Sequence, residues 1–113
     1  MQSIKSYTDI EQSRKLAEIL PLESADMCYR IVAYNPDDTH VYQPYCFVGT
    51  LESDIPCWSL AALLSILPNG IVMNKDSQNG KYHFSSKYIG TYVTADNPID
   101  ACVELILKLQ EKL

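Results

Sequence analysis

At 113 residues the chain is the size of one domain, long enough to bury about two thirds of the surface its unfolded form exposes. Its 47% apolar content excludes a disordered tail or a low-complexity linker. A net charge of -5 with no basic cluster speaks against general binding to a phosphate backbone, which needs Lys and Arg to displace counterions.

The first element is announced by Thr8-Asp9-Ile10-Glu11, which has the spacing of a capping box with Thr8 as the cap. The spacing predicts an amphipathic helix near residues 9–20, ended by Pro21. Met27 to Tyr34 is rich in β-formers and predicts a strand. Asn35-Pro36-Asp37-Asp38 follows as a turn, since Pro fixes φ and Asn and Asp bond their own backbone. A second strand is expected from about Tyr42 to Thr50, weakened by Pro44.

Ile55 to Asn74 then runs twenty residues without a charge. Within it the pattern predicts a second helix near 57–67, with Asp54 or its neighbour at the cap and Pro56 in the first turn. Leu60, Leu63, Leu64 and Leu67 share one face and are expected in the core with Phe84, Ile106 and Leu109. Trp58 and Ile66 fall outside that stripe. The apolar part of this run, the eleven residues Cys57 to Leu67, falls short of the ~20 that cross a bilayer, so no membrane span is expected.

Ile71-Val72-Met73 begins a third strand, and Asn79-Gly80 signals a type I′ hairpin. The returning chain is Tyr82 to Phe84 and then Tyr88 to Thr94, with Gly90 as a bulge or bend. Asn97-Pro98-Ile99-Asp100 opens a last helix near 98–112, with an Asn cap, Pro first and an early acid. Its stripe is Ile99, Cys102, Val103, Ile106, Leu109 and Leu113. No repeat or linker appears, so residues 1–113 are read as a single α+β domain. Its order is about αββαββα, with an antiparallel sheet of three to five strands packed with three helices.

Cys28, Cys46, Cys57 and Cys102 are too widely spaced for a zinc knuckle or a CxxC pair. With no apolar leader in the first seven residues, reduced thiols in a cytoplasmic protein are expected. Cys57, near the predicted start of the second helix, is the one candidate nucleophile, because a helix dipole lowers thiol pKa. His40 or His83 would be its base. The pair Cys57-Trp58 resembles that of papain-like proteases, but the flanking Gly and second Cys of that motif are missing. Counted from Asn35, an EF-hand would need Gly and Glu where His40 and Cys46 stand, and no phosphate loop or zinc motif occurs. No cofactor and no metal is therefore expected.

Seven acids and a single base, Arg30, lie between Glu18 and Asp54, whereas five acids balance five lysines from Lys75 onward. That acidic half also holds Tyr29, Tyr34, Tyr42 and Tyr45. Amphipathic aromatics suit strands and also serve as interface anchors. The segments Ile55–Leu64, around Pro56-Cys57-Trp58-Ser59, and Ala95–Leu109, opened by Asn97-Pro98-Ile99-Asp100, add a resemblance. Over about a fifth of its length the chain resembles a group of small uncharacterised proteins of gut-bacterial genomes, often in phage, prophage or mobile-element contexts. The resemblance implies a small cytoplasmic accessory protein and brings no catalytic residue.

The leading expectation is therefore a non-enzymatic accessory or protein-binding protein. Trp58, Tyr29, Tyr34, Tyr42 and Tyr45 are its candidate binding residues, and a protein partner or a second copy is its target. The alternative is a small thiol enzyme or hydrolase centred on Cys57.

Overall fold

A computed structural model describes residues 5–86 and 90–111. The expected leader-free start at Met1 to Ile4, the strand residue Tyr88, the helix end at Lys112 and the stripe residue Leu113 lie outside the described residues. The element order is α1 (Ile10–Ala17), β1 (Met27–Tyr34), β2 (His40–Tyr45), β3 (Ile55–Cys57), α2 (Leu60–Ile66), β4 (Ile71–Lys75), β5 (Tyr82–Ser86), β6 (Tyr92–Ala95) and α3 (Pro98–Glu111). The domain is α+β with three helices. Its strands form two three-stranded antiparallel sheets, in the orders β2-β1-β3 and β4-β5-β6.

Local chemistry explains each boundary. α1 is capped by Asp9, one residue later than expected. The Asp9 carboxylate accepts from the Gln12 amide at 2.7 Å, and the Gln12 side chain accepts from the Asp9 amide at 3.1 Å. Thr8 is thereby released for another role. α3 starts as read: the Asp100 amide donates to Asn97 Oδ1 at 2.8 Å, and Pro98 occupies the first helical position.

The second helix is shorter than its apolar pattern implies. Residues 55–57, including Pro56, form β3, and the cap is Ser59, whose hydroxyl accepts from the Ala62 amide at 3.2 Å. Pro56 stands opposite Cys28 and Pro44 opposite Tyr29. Alternate pairs of an antiparallel ladder exchange no hydrogen bonds, so a residue without N–H is tolerated at those two places.

The β4–β5 hairpin forms, but its turn is not type I′. Asp76 N donates to Lys81 O at 2.8 Å and Gly80 N to Asp76 O at 2.9 Å, which closes a longer loop. In this loop Gly80 has positive φ and Asn79 does not. The return chain is divided at Gly90, φ +70°, into β5 and β6.

Two apolar cores result. The larger joins α1, α2, α3 and the second sheet through Leu16, Trp58, Leu63, Phe84, Val93 and the buried side of α3. The smaller holds Met27, Tyr29, Ile55 and Cys57, with Tyr7, Ile10 and Tyr42 against it. Two expectations for the core are overturned. Trp58, read as lying off the apolar face, is fully buried, and Leu64, read as core, is 37% exposed. Leu105, which is not in the stripe read for the last helix, is also fully buried. α2, seven residues long, packs on α3 and buries Leu63 fully, with Leu60, Ile66 and Leu67 half-buried beside it and Leu64 at its more open edge.

The radius of gyration is 15.3 Å, larger than the about 13 Å of a compact chain this long. The outer half of the β1–β2 hairpin is exposed. Among the described residues β3 pairs only with residues 27–29 of β1, and β1 passes from buried at Met27 to exposed at Tyr34.

Equilibrium denaturation will distinguish the two leucines of α2. Leu63→Ala should cost about 2–5 kcal/mol, because it opens a cavity in the core. Leu64→Ala should cost under about 1 kcal/mol, as expected where few neighbours are lost.

Candidate functional site

The projecting hairpin is the candidate site. Its register is Cys28↔Tyr45, Tyr29↔Pro44, Arg30↔Gln43 and Ile31↔Tyr42, then, past a bulge at Val32, Ala33↔Val41 and Tyr34↔His40. Directly paired residues share a sheet face. One face of the arm therefore carries Tyr29, Ile31, Tyr34, His40 and Tyr42.

The rings on this face form a row. Tyr7 and Tyr29 meet edge-on at 6.3 Å, His40 and Tyr42 at 6.2 Å, and Tyr34 and His40 at 4.8 Å. The Arg14 guanidinium of α1 lies 5.9 Å from the Tyr42 ring centre. The row passes from the small core to solvent: Tyr29 is buried, Tyr42 half-buried, His40 exposed and Tyr34 74% exposed. Val32 and Val41 add exposed aliphatic surface to the same arm.

The tip is held by its own side chains. Asn35 N donates to Thr39 O at 2.8 Å, and Asn35 Nδ2 donates to Thr39 Oγ1 at 2.8 Å. The Thr39 hydroxyl and amide both donate to Asp37 Oδ1, at 2.6 and 3.2 Å. Those bonds hold the Asp37 carboxyl below its ordinary range, the hydroxyl contributing most. Asp38 takes φ +68°, a left-handed conformation that Asp tolerates better than most residues.

The opposite face is a structural clasp. Arg30 Nε and Nη2 donate to the two Asp54 oxygens at 3.0 and 2.8 Å, and the Leu51 amide donates to Asp54 Oδ2 at 3.0 Å. The Asp54 side chain is 3% exposed. The Arg30 bonds lower its pKa, against a smaller opposing effect of burial. Arg30 also covers the Phe47 ring at 5.0 Å, and Phe47 packs on Tyr45 at 5.3 Å. Gly49 is required beside this pair, because a Cβ there would stand 2.7 Å from Asp54 Cβ and 3.0 Å from Cys28 Cβ.

The five sequence-selected residues thus separate. Tyr29, Tyr34 and Tyr42 come together on one face, Tyr45 lies on the other, and Trp58 sits in the large core with its indole N–H donating to Ser24 Oγ at 3.0 Å. Trp58 is fully buried and Tyr29 is only 7% exposed.

Cys57 is not at a helix terminus. It is fully buried in β3, and its thiol donates to Thr8 O at 3.5 Å. Burial raises its pKa, although the bond from Thr8 opposes the shift. The thiolate chemistry proposed for it needs a low pKa and access, and the site supplies neither.

One group escaped the sequence reading. On the outer face of the second sheet, His83 Nδ1 faces Thr94 Oγ1 at 2.9 Å and the Tyr92 hydroxyl, and His83 Nε2 lies 3.6 Å from Asp76 Oδ2. The His83↔Thr94 register that assembles it depends on strand pairing and leaves no local signal. Tyr92 and Thr94 are exposed on an open face, without the enclosed cleft that acid–base catalysis uses. Among the described residues no three His, Cys, Asp or Glu side chains are grouped to hold a metal, and no helix is long and apolar enough to cross a membrane. Compared with protein-family models, curated proteins and solved structures, the chain matches none.

The Arg30–Asp54 clasp gives a pH signature. A carboxylate whose folded pKa is depressed contributes stability above its unfolded value, near ~3.9, and loses it as pH falls through the folded value. Thermal unfolding from pH 7 to pH 2 should show stability dropping below about pH 4. Asp54→Asn should start lower at pH 7 and show a shallower acid decline.

Proposed function

We propose that the chain is a non-enzymatic accessory protein that binds another protein through the aromatic face of the β1–β2 arm. The observation that carries this reading is the row of rings from Tyr42 to Tyr34. It is exposed at its outer end, built on a hairpin that projects beyond either core, and pre-ordered by the tip bonds. Rigid aromatic side chains bury much area on docking at low entropic cost, which makes them frequent hot spots.

Charge supports a protein target over a nucleic acid. Asp37 and Asp38 are at the tip, and Arg30, the base at the foot of the arm, is engaged by Asp54. A partner segment bearing Lys or Arg would complement this tip. The setting proposed with it is the cytoplasm of a gut bacterium carrying phage or mobile elements, which rests on the resemblance of the two helical segments.

Affinity capture from such a host will test the arm. Tyr34→Ala with His40→Ala should leave the melting temperature within about 2–4 °C, since both side chains are exposed. The same pair should weaken capture by about 2 kcal/mol or more. Equal recovery of the partner by the variant and the parent would remove the arm from the interface.

Thiol labelling separates this reading from the thiol-enzyme one. Cys46 is exposed, whereas Cys28, Cys57 and Cys102 are buried, and burial pushes the Cys102 thiol up to about 12. Iodoacetamide at pH 7 should modify Cys46 rapidly and the other three only on unfolding. Rapid native modification of Cys57, mapped by mass spectrometry, would restore the thiol-enzyme reading.

A further inference from the structure

The second sheet leaves a groove beside its edge strand. α3 packs on β5 and β6, and α2 packs on α3, and among the described residues no helix packs extensively on β4. A groove of about 330 Å3 remains open there. Leu60 and Leu64 of α2 form one wall, and Met73, Tyr82 and Phe84 form the sheet side. Met73 is 53% exposed in it. Lys75 is the one charged residue lining the groove, its ammonium 5.4 Å from the Tyr82 ring centre. Among the described residues it makes no salt bridge.

This is an apolar channel with a cation at its rim and no carboxylate in its lining. We propose that it binds a single-chain amphiphile with an anionic head, of the medium-chain carboxylate class. The chain lies along Leu60, Leu64, Met73 and Phe84, and the carboxylate meets Lys75. The volume is at the small end of the ~300–1,000 Å3 range of ligand sites, enough for one alkyl chain. With so few polar groups in the walls, a polar ligand would lose its hydration uncompensated. A carboxylate at Lys75 gains a charge-assisted hydrogen bond instead. The excess of acid is concentrated between Glu18 and Asp54, while acids and lysines balance from Lys75 onward, so the approach of an anion here is not opposed by the net charge. The inference is independent of the arm.

The test is a titration of the whole chain with decanoate and with decanol, below the micelle concentration, followed by methyl NMR. Decanoate should shift the Leu60, Leu64 and Met73 methyls saturably and bind more tightly than decanol. Lys75→Gln should weaken decanoate by about tenfold and leave decanol unchanged, about 1.4 kcal/mol of head-group contribution. Equal affinity of the two probes for the parent protein would overturn the anionic assignment without recourse to any variant. Shifts confined to other methyls would overturn the site. Shifts of these methyls with protein concentration alone would mean that a second copy occupies the groove, and would also overturn the proposal.

Discussion

The fold depends on how one buried threonine holds the chain where it passes between two cores. Cys57 belongs to the small core and Trp58, the next residue, to the large one. Thr8 pins that crossing. Its amide donates to Trp58 O at 3.0 Å, and its hydroxyl accepts from the Trp58 amide at 3.2 Å, so both polar groups of the Trp58 backbone are met. The Thr8 carbonyl accepts from the Tyr29 hydroxyl at 2.7 Å, and its hydroxyl lies 2.8 Å from Ser13 Oγ. A buried polar network of this kind stabilises only when each member is satisfied. Here it joins α1, β1 and β3 beside the small apolar core that the three of them share.

Asp100 extends the same linkage to α3. Its carboxylate accepts from Lys5, Gln12 and Asn97 at 2.7, 2.8 and 2.8 Å. Burial raises its pKa, but these three donors outweigh burial and leave it lowered. The segment before α1 thus binds the start of α3 by charge and the crossing at Trp58 by hydrogen bonds. With the base of the first sheet fixed in this way, the β1–β2 arm can extend without a core of its own. A bare two-stranded ribbon is marginal in water. Cross-strand aromatic contacts and the side-chain bonds of the tip compensate for the missing layer.

What the sequence made legible was local chemistry. α3 could be read because Asn97, Pro98 and the apolar stripe agree, and no tertiary contact overrides them. Around Pro56 the signals conflict. A proline ahead of an apolar run suits a first helical turn, yet it also suits a strand position whose N–H is not needed, and only the pairing with Cys28 decides. The leucine periodicity identified Leu63 correctly and Leu64 wrongly, because periodicity gives a face but not which neighbours exist to cover it. The same limit hid the site. Four tyrosines are visible in the sequence, but the row of rings depends on the Val32 bulge and on a register that pairs Tyr34 with His40. Tyrosine spacing contains neither.

The acidic half of the chain shows why composition overstates a field. Of its seven carboxylates, Asp54 is neutralised by Arg30, and Asp26 accepts from the Ser59 amide at 2.9 Å at the head of α2. Asp37 is occupied with Thr39 at the tip. These three shape the backbone, and only Asp37 of them also stands on the arm. Glu18, Glu23 and Glu52 are exposed outside β1 and β2, where screening over about 8 Å at physiological salt limits their reach to the arm. Any electrostatic preference at the binding face therefore rests on local groups, the tip acids Asp37 and Asp38 at one end and Arg14 beside Tyr42 at the other, rather than on the net charge. Affinity must then come from the rings, with the tip carboxylates selecting which partner segment can lie along them.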